Sequence, residues 1–119
     1  SGVEINPNIR KYIYKKYKKK IPIYTKIPNI KFDIIVSNGV HNYKIKNCEN
    51  IFYNDINNLL KITKKALIIS FINNNVDYKD NYLSYKNLFK TIKFIQNKKY
   101  NFIINQSMNK YETFMIILK

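Results

Sequence analysis

Tyr100-Asn101-Phe102-Ile103-Ile104-Asn105-Gln106 and Thr113-Phe114-Met115-Ile116-Ile117-Leu118, joined only by the link Ser107 to Glu112, decide the topology of this chain. Both runs carry the β-branched and aromatic content of strands. The link is too short for a helical crossover, so the two strands must form an antiparallel hairpin. Working upstream, Leu88, Phe89, Ile92 and Ile95 recur at helical spacing through Lys99. Before them, Asn73 to Tyr85 shows no period and reads as a loop of about a dozen residues, long enough to suspect a function. Ala66 to Ile72 is a buried strand. From about Glu49 to Lys65, Phe52, Ile56, Leu59, Leu60 and Thr63 line one face of an amphipathic helix.

The first third of the chain continues the alternation. Phe32 to Ser37 is a β-branched run that suits a strand buried on both faces, broken by Asn38-Gly39. Ile21 to Thr25 is a short strand ended by the Pro28-Asn29 turn. Asn6-Pro7 is a helix start, with Asn as N-cap and Pro at the first helical position, and the helix runs to about Lys19. Ser1 to Ile5 reads as the tail of a strand. The order β-α-β-β-α-β-α-β-β predicts an α/β fold: a mostly parallel sheet with helices on both faces and a C-terminal antiparallel hairpin. Residues 1–119 form a single domain without internal repeats.

Composition bounds the chemistry. A chain of 119 residues with 45% hydrophobic and 15% aromatic residues is a folded domain, not a solvated tail. The net charge of +15 suggests a phosphate-binding surface. Lysine, isoleucine and asparagine together make 62 of the 119 residues, however, so a genome-composition bias accounts for much of the lysine. Twenty-one lysines against one arginine, Arg10, also disfavour an evolved phosphate or base reader. One cysteine, Cys48, forms no internal disulfide and points to a reducing compartment, the cytoplasm. With one histidine, His41, and seven scattered acids, a metal site built by this chain alone is not expected. The longest apolar runs fall short of the roughly 20 residues of a membrane span.

Three stretches carry a resemblance. Gly2-Val3-Glu4-Ile5-Asn6-Pro7 places a carboxylate at a strand's end where the chain turns into a helix. Lys31-Phe32-Asp33-Ile34-Ile35-Val36-Ser37-Asn38-Gly39-Val40-His41-Asn42 follows a pattern of the form F-D-x-V-x-S-x-x-V. Val76 to Tyr85, together with Tyr111-Glu112-Thr113-Phe114, forms a tyrosine-rich loop and a last strand. In this order, and with the closing hairpin, the chain resembles the class I S-adenosylmethionine-dependent methyltransferases from their second strand to their seventh. The family's glycine-rich loop after its first strand is absent, and so is that strand. The resemblance therefore implies a fragment of a longer protein, inactive alone, with a gap in mid-sheet to be filled by a missing N-terminal strand or a partner chain. A non-Met start fits a missing N-terminus, as it fits a short Ser-Gly scar.

The same resemblance implies site residues. Glu4 would accept hydrogen bonds from the cofactor's ribose; Thr25 would stand in as acceptor for an adenine-binding acid and Ile27 would pack on the ring; Ser37, Asn38 and Gly39 would flank its methionine part. Asn42, Tyr43 and Tyr82 would meet a small-molecule substrate, and His41 is the one candidate base, its unperturbed pKa lying near neutrality. The reaction implied is in-line transfer of a methyl group to an O, N or C nucleophile, in which alignment and desolvation do most of the catalysis. Each residue also has an ordinary structural reading: Glu4 as a helix-start acid, Asn38-Gly39 as a turn, the tyrosines as loop packing. Two rival functions stand beside this one. A nicotinamide-binding Rossmann domain would end in parallel strands, against the short Ser107 to Glu112 link. A basic nucleic-acid-binding or scaffold module would gather its lysines on one face, whereas here they are spread through nearly every helix and loop.

Overall fold

The computed structural model describes residues 1–107 and 111–119. They fall into two compact units, Ser1–Ile30 and Lys31–Lys119. In the first unit, β1 (Gly2–Val3) pairs in parallel with β2 (Ile23–Tyr24), and α1 (Pro7–Lys16) connects them. Asn6 caps α1 as expected, its Oδ1 accepting from the backbone N–H of Asn8 at 2.9 Å. The helix stops three residues before the expected Lys19. Lys18 and Lys19 take left-handed backbone angles, φ 49° and 57°, where the crowded positive run Lys15 to Lys20 gains nothing from another turn. The Tyr14 hydroxyl donates to the Ile23 carbonyl at 3.0 Å and ties the helix to β2.

The second unit holds β3 (Phe32–Ser37), α2 (Cys48–Ile62), β4 (Thr63–Asn73), β5 (Tyr85–Lys86), α3 (Leu88–Asn97), β6 (Asn101–Asn105) and β7 (Glu112–Leu118). The sheet order is β3-β4-β7-β6, with β5 pairing β4. β3 and β5 run parallel to β4, whereas β7 is antiparallel to both β4 and β6. Every strand of this sheet but β7 therefore points the same way, and the hairpin read from the sequence is present. Part of its link, residues 108–110, lies outside the described residues. The fold is α/β with three helices and a mixed sheet.

Several boundaries differ from expectation. α2 ends at Ile62, not Lys65, and β4 begins at the next residue. Thr63 suits a strand better than a helix, and its hydroxyl donates to the Leu59 carbonyl at 2.8 Å, closing the last helical turn. The Lys119 ammonium completes that end by donating to the carbonyls of Leu60 and Thr63, at 2.7 and 3.0 Å, a favourable place for a cation. The expected loop from Asn73 to Tyr85 shrinks to residues 74–84, because Tyr85 and Lys86 form β5.

One core fills one face of the sheet. Phe52, Ile56 and Leu60 of α2 and Ile95 of α3 meet Leu67, Ile69 and Phe71 of β4 and Met115 and Ile117 of β7, all at most 3% exposed. Register explains the set: Leu67 faces Ile117 and Ile69 faces Met115 across the β4–β7 ladder, and every second residue shares a face. Phe89, read from its spacing as part of the α3 stripe, is instead exposed. The expectation that Phe32 to Ser37 is buried on both faces is corrected: Ile34 and Val36 are 58% and 63% exposed. α2 and α3 pack on the same side of the sheet, and β-branched residues favour strands whether or not both faces are covered. No helix among the described residues is long and apolar enough to cross a membrane.

Candidate functional site at the carboxyl end of the sheet

β4 outruns β3. Ser37, the last residue of β3, lies opposite Ile69, and β4 continues for four more residues to Asn73. Its other edge is occupied by β7, where Ile72 faces Glu112, so β5 must take up the edge that β3 has left. The chain leaves β3 through Asn38 and Gly39, whose φ of 67° is the left-handed value that favours glycine. Residues 42–44 then pair with residues 82–84: Ser84 N–H donates to the Asn42 carbonyl at 2.9 Å, Lys44 N–H to the Tyr82 carbonyl at 2.8 Å, and Tyr43 bridges Leu83.

A polar node locks this end. The Ser70 hydroxyl accepts from Gly39 N–H at 2.9 Å and lies 2.6 Å from Asn38 Oδ1 and 2.7 Å from Glu112 Oε1. One hydroxyl proton serves one acceptor at a time, so the turn after β3 and the start of β7 compete for it. Beside the node lies a cavity of about 400 Å³. Asn42, Ile72 and Leu83 contribute to its wall, with Tyr78, Tyr85 and Tyr111 and the carboxylates Asp77, Asp80 and Glu112. Asn42 Oδ1 is wholly buried, and among the described residues no other buried side-chain polar atom lacks a hydrogen-bond partner.

The residues singled out in the sequence fall into separate places. In the first unit, Glu4 follows β1 directly, as the resemblance requires, and its Oε1 accepts Asn6 N–H at 2.8 Å. Glu4 N–H donates to the Tyr24 carbonyl, so Thr25 stands at the same end of the parallel pair; Ile27 is exposed beyond it. In the second unit, Ser37, Asn38 and Gly39 form the turn above β3, and Asn42 reaches the cavity. Tyr43 and Tyr82 stand exposed on the paired loops, outside the cavity wall. A nearby carboxylate, Asp80, pushes the Tyr82 phenol above its ordinary pKa. Asp33 occupies the opposite end of β3, where Lys65 and Lys64, each 3.5 Å away, hold its carboxyl below the usual range.

His41 points elsewhere. Its Nε2 lies 3.6 Å from Asp55 and its ring packs edge-on against Phe52, so it meets α2 and not the cavity. Burial pushes its pKa down, only partly opposed by Asp55. Beside it the buried Lys86 ammonium donates to Ser84 Oγ at 2.6 Å and to the Cys48 carbonyl at 3.3 Å, and lies 5.2 Å from the Phe52 ring centroid. Burial lowers the pKa of Lys86 as well. The Cys48 thiol is held below its ordinary range chiefly by its hydrogen bond with Ser84.

Sequence reasoning missed Ser70 and Lys86. Ser70 was visible as the polar exception in Ala66-Leu67-Ile68-Ile69-Ser70-Phe71-Ile72. Lys86 carried no signal against a background of 21 lysines.

No protein-family model matches the chain, and no curated protein does. Among solved structures, magnesium protoporphyrin IX methyltransferase from Synechocystis PCC 6803 with bound S-adenosylmethionine (SAM) is similar at 11% identity and a TM-score of 0.66 over 99% of this chain. The same enzyme with bound SAH is similar at 10% identity and a TM-score of 0.69, again over 99% of this chain. The chain spans 58% and 62% of the length of those two structures. At such identities the likeness is one of fold, and the fold is the Rossmann-like one of the class I SAM-dependent methyltransferases.

Proposed function

We propose that this chain is the carboxyl-terminal part of a SAM-dependent methyltransferase acting on an O, N or C nucleophile of a small molecule. The observation that carries the reading is the strand order β3-β4-β7-β6 with β7 antiparallel, combined with a cavity at the carboxyl end of β4. Open α/β sheets bind ligands outside the carboxyl ends of their strands. β3 as an edge strand, and β1–β2 as a separate pair, are consistent with a strand supplied by residues outside this stretch.

When bound, the cofactor supplies a methyl group on a sulfonium, with a thioether as leaving group. In the first unit, Glu4 is the ribose acceptor: one carboxylate oxygen is fixed by Asn6 N–H, which orients the group. Thr25 and Ile27 take the adenine side. In the second unit, Ser37, Asn38 and Gly39 form the turn for the methionine part, and the node at Ser70 holds that turn still. Asn42 contacts the acceptor, with Tyr43 and Tyr82 on the rim. His41 acts as a positioning residue: its contacts with Asp55 and Phe52 anchor the loop whose next residue, Asn42, lines the cavity.

The test is a calorimetric titration of S-adenosylhomocysteine into the protein translated from its own start codon. Saturable binding that Glu4→Gln weakens about tenfold, equivalent to about 1.4 kcal/mol, supports the reading. Absence of binding, or binding indifferent to Glu4, overturns it.

A further inference from the structure

The charged residues of the cavity wall, among those described, have the sign opposite to that of the chain. Lysine and arginine outnumber acids 22 to 7, yet among the described residues three of those seven acids, Asp77, Asp80 and Glu112, line this one space and no lysine or arginine does. Tyr78 and Tyr85 add aromatic faces, and Ile72 and Leu83 an apolar floor. Among the described residues no group of three or more His, Cys, Asp or Glu is placed to hold a metal ion. A volume of about 400 Å³ suits an organic molecule in any case.

We infer that this cavity binds a small organic cation, an amine carrying an aromatic or apolar body. Carboxylates balance the ammonium charge, and the Tyr78 face attracts it, the Tyr85 ring already carrying the Lys79 ammonium 5.7 Å from its centroid. An anionic ligand is repelled by the same three carboxylates. That the bound amine is the methyl acceptor rests on the methyltransferase reading; that it binds does not.

Benzylamine, benzyl alcohol and benzoate share one shape and differ in charge, so ligand-observed NMR titrations of the three into the protein translated from its own start codon, without cofactor, separate charge from size. A surface of net charge +15 by itself favours benzoate, so a preference for the amine must come from the cavity. Benzylamine is expected to bind about tenfold more tightly than benzyl alcohol, equivalent to about 1.4 kcal/mol, with benzoate weakest. Asp80→Asn combined with Glu112→Gln should remove that preference. Tyr78→Ser, at a residue 76% exposed and so harmless to the fold, should weaken benzylamine alone. Binding of benzoate equal to or above that of benzylamine, absence of binding by all three probes, or a preference that survives the double variant overturns the proposal. Amine binding by a protein that does not bind S-adenosylhomocysteine upholds this inference and removes the methyltransferase reading.

Discussion

The two faces of the five-stranded sheet are built from the same residue types and meet different fates. On one face Leu67, Ile69, Met115 and Ile117 are sealed under α2 and α3; on the other Ile34, Val36, Ile103 and Leu118 are 41% to 63% exposed. The alternation of β4 and β7 supplies apolar side chains to both sides, but the second unit's helices cover one. Hydrophobic content therefore says how much surface a strand offers, not how much is used. The exposed residues lie on the outer strands and at the end of β7, whereas Ile68, Phe114 and Ile116 of the central strands are half-buried.

The sharpest way to break the comparison is Phe52→Ala. Phe52 is fully buried and packs edge-on against Tyr53 and Phe71, so its truncation should cost about 3–5 kcal/mol, read as a lowered urea midpoint. Next comes Ser70→Ala on the opposite face. It strands Gly39 N–H and releases Glu112 and Asn38, with an expected loss of about 1–3 kcal/mol and weaker retention of benzylamine.

A smaller effect is expected from pH at His41, on the covered side. Its ordinary value is 6.5 and burial holds the folded value lower, so between the two the unfolded chain binds more protons. The stabilising contribution is present above pH 6.5 and is lost as pH falls through the lowered folded value. Urea titrations at descending pH should show this slope in the native protein and a flatter one in His41→Gln. The smallest change belongs to Val36→Thr on the open face, expected within about 0.5 kcal/mol. A large loss there would mean that the face is covered in solution, and equilibrium sedimentation would then show association.

Periodicity made the core elements legible before any coordinates. The β-branched run at Phe32, the stripe from Phe52 to Leu60 and the closing strands each match an observed element, because burial of one face leaves a repeating mark on the sequence. Contacts that recur only once leave none. β5 is two residues long, too short for a period, and Lys86 is one lysine among many. Two of the cavity-wall carboxylates, Asp77 and Asp80, sit in a loop where acid and tyrosine alternate without regularity, and the third, Glu112, opens β7; only their spatial gathering around Ile72 and Leu83 distinguishes them. Asn42 was legible because it follows a strand end, whereas its neighbour His41 differs in role only through the direction in which the loop turns it.

The junction between Ile62 and Thr63 has a mechanical consequence. With no linker between α2 and β4, helix and strand behave as one rigid piece without slack. A single residue inserted there would shift β4 by half a pleat and turn Leu67, Ile69 and Phe71 outward while Ile68 and Ile72 turned in. In an insertion scan this point should therefore be among the least tolerant, and residues 75–79 among the most forgiving.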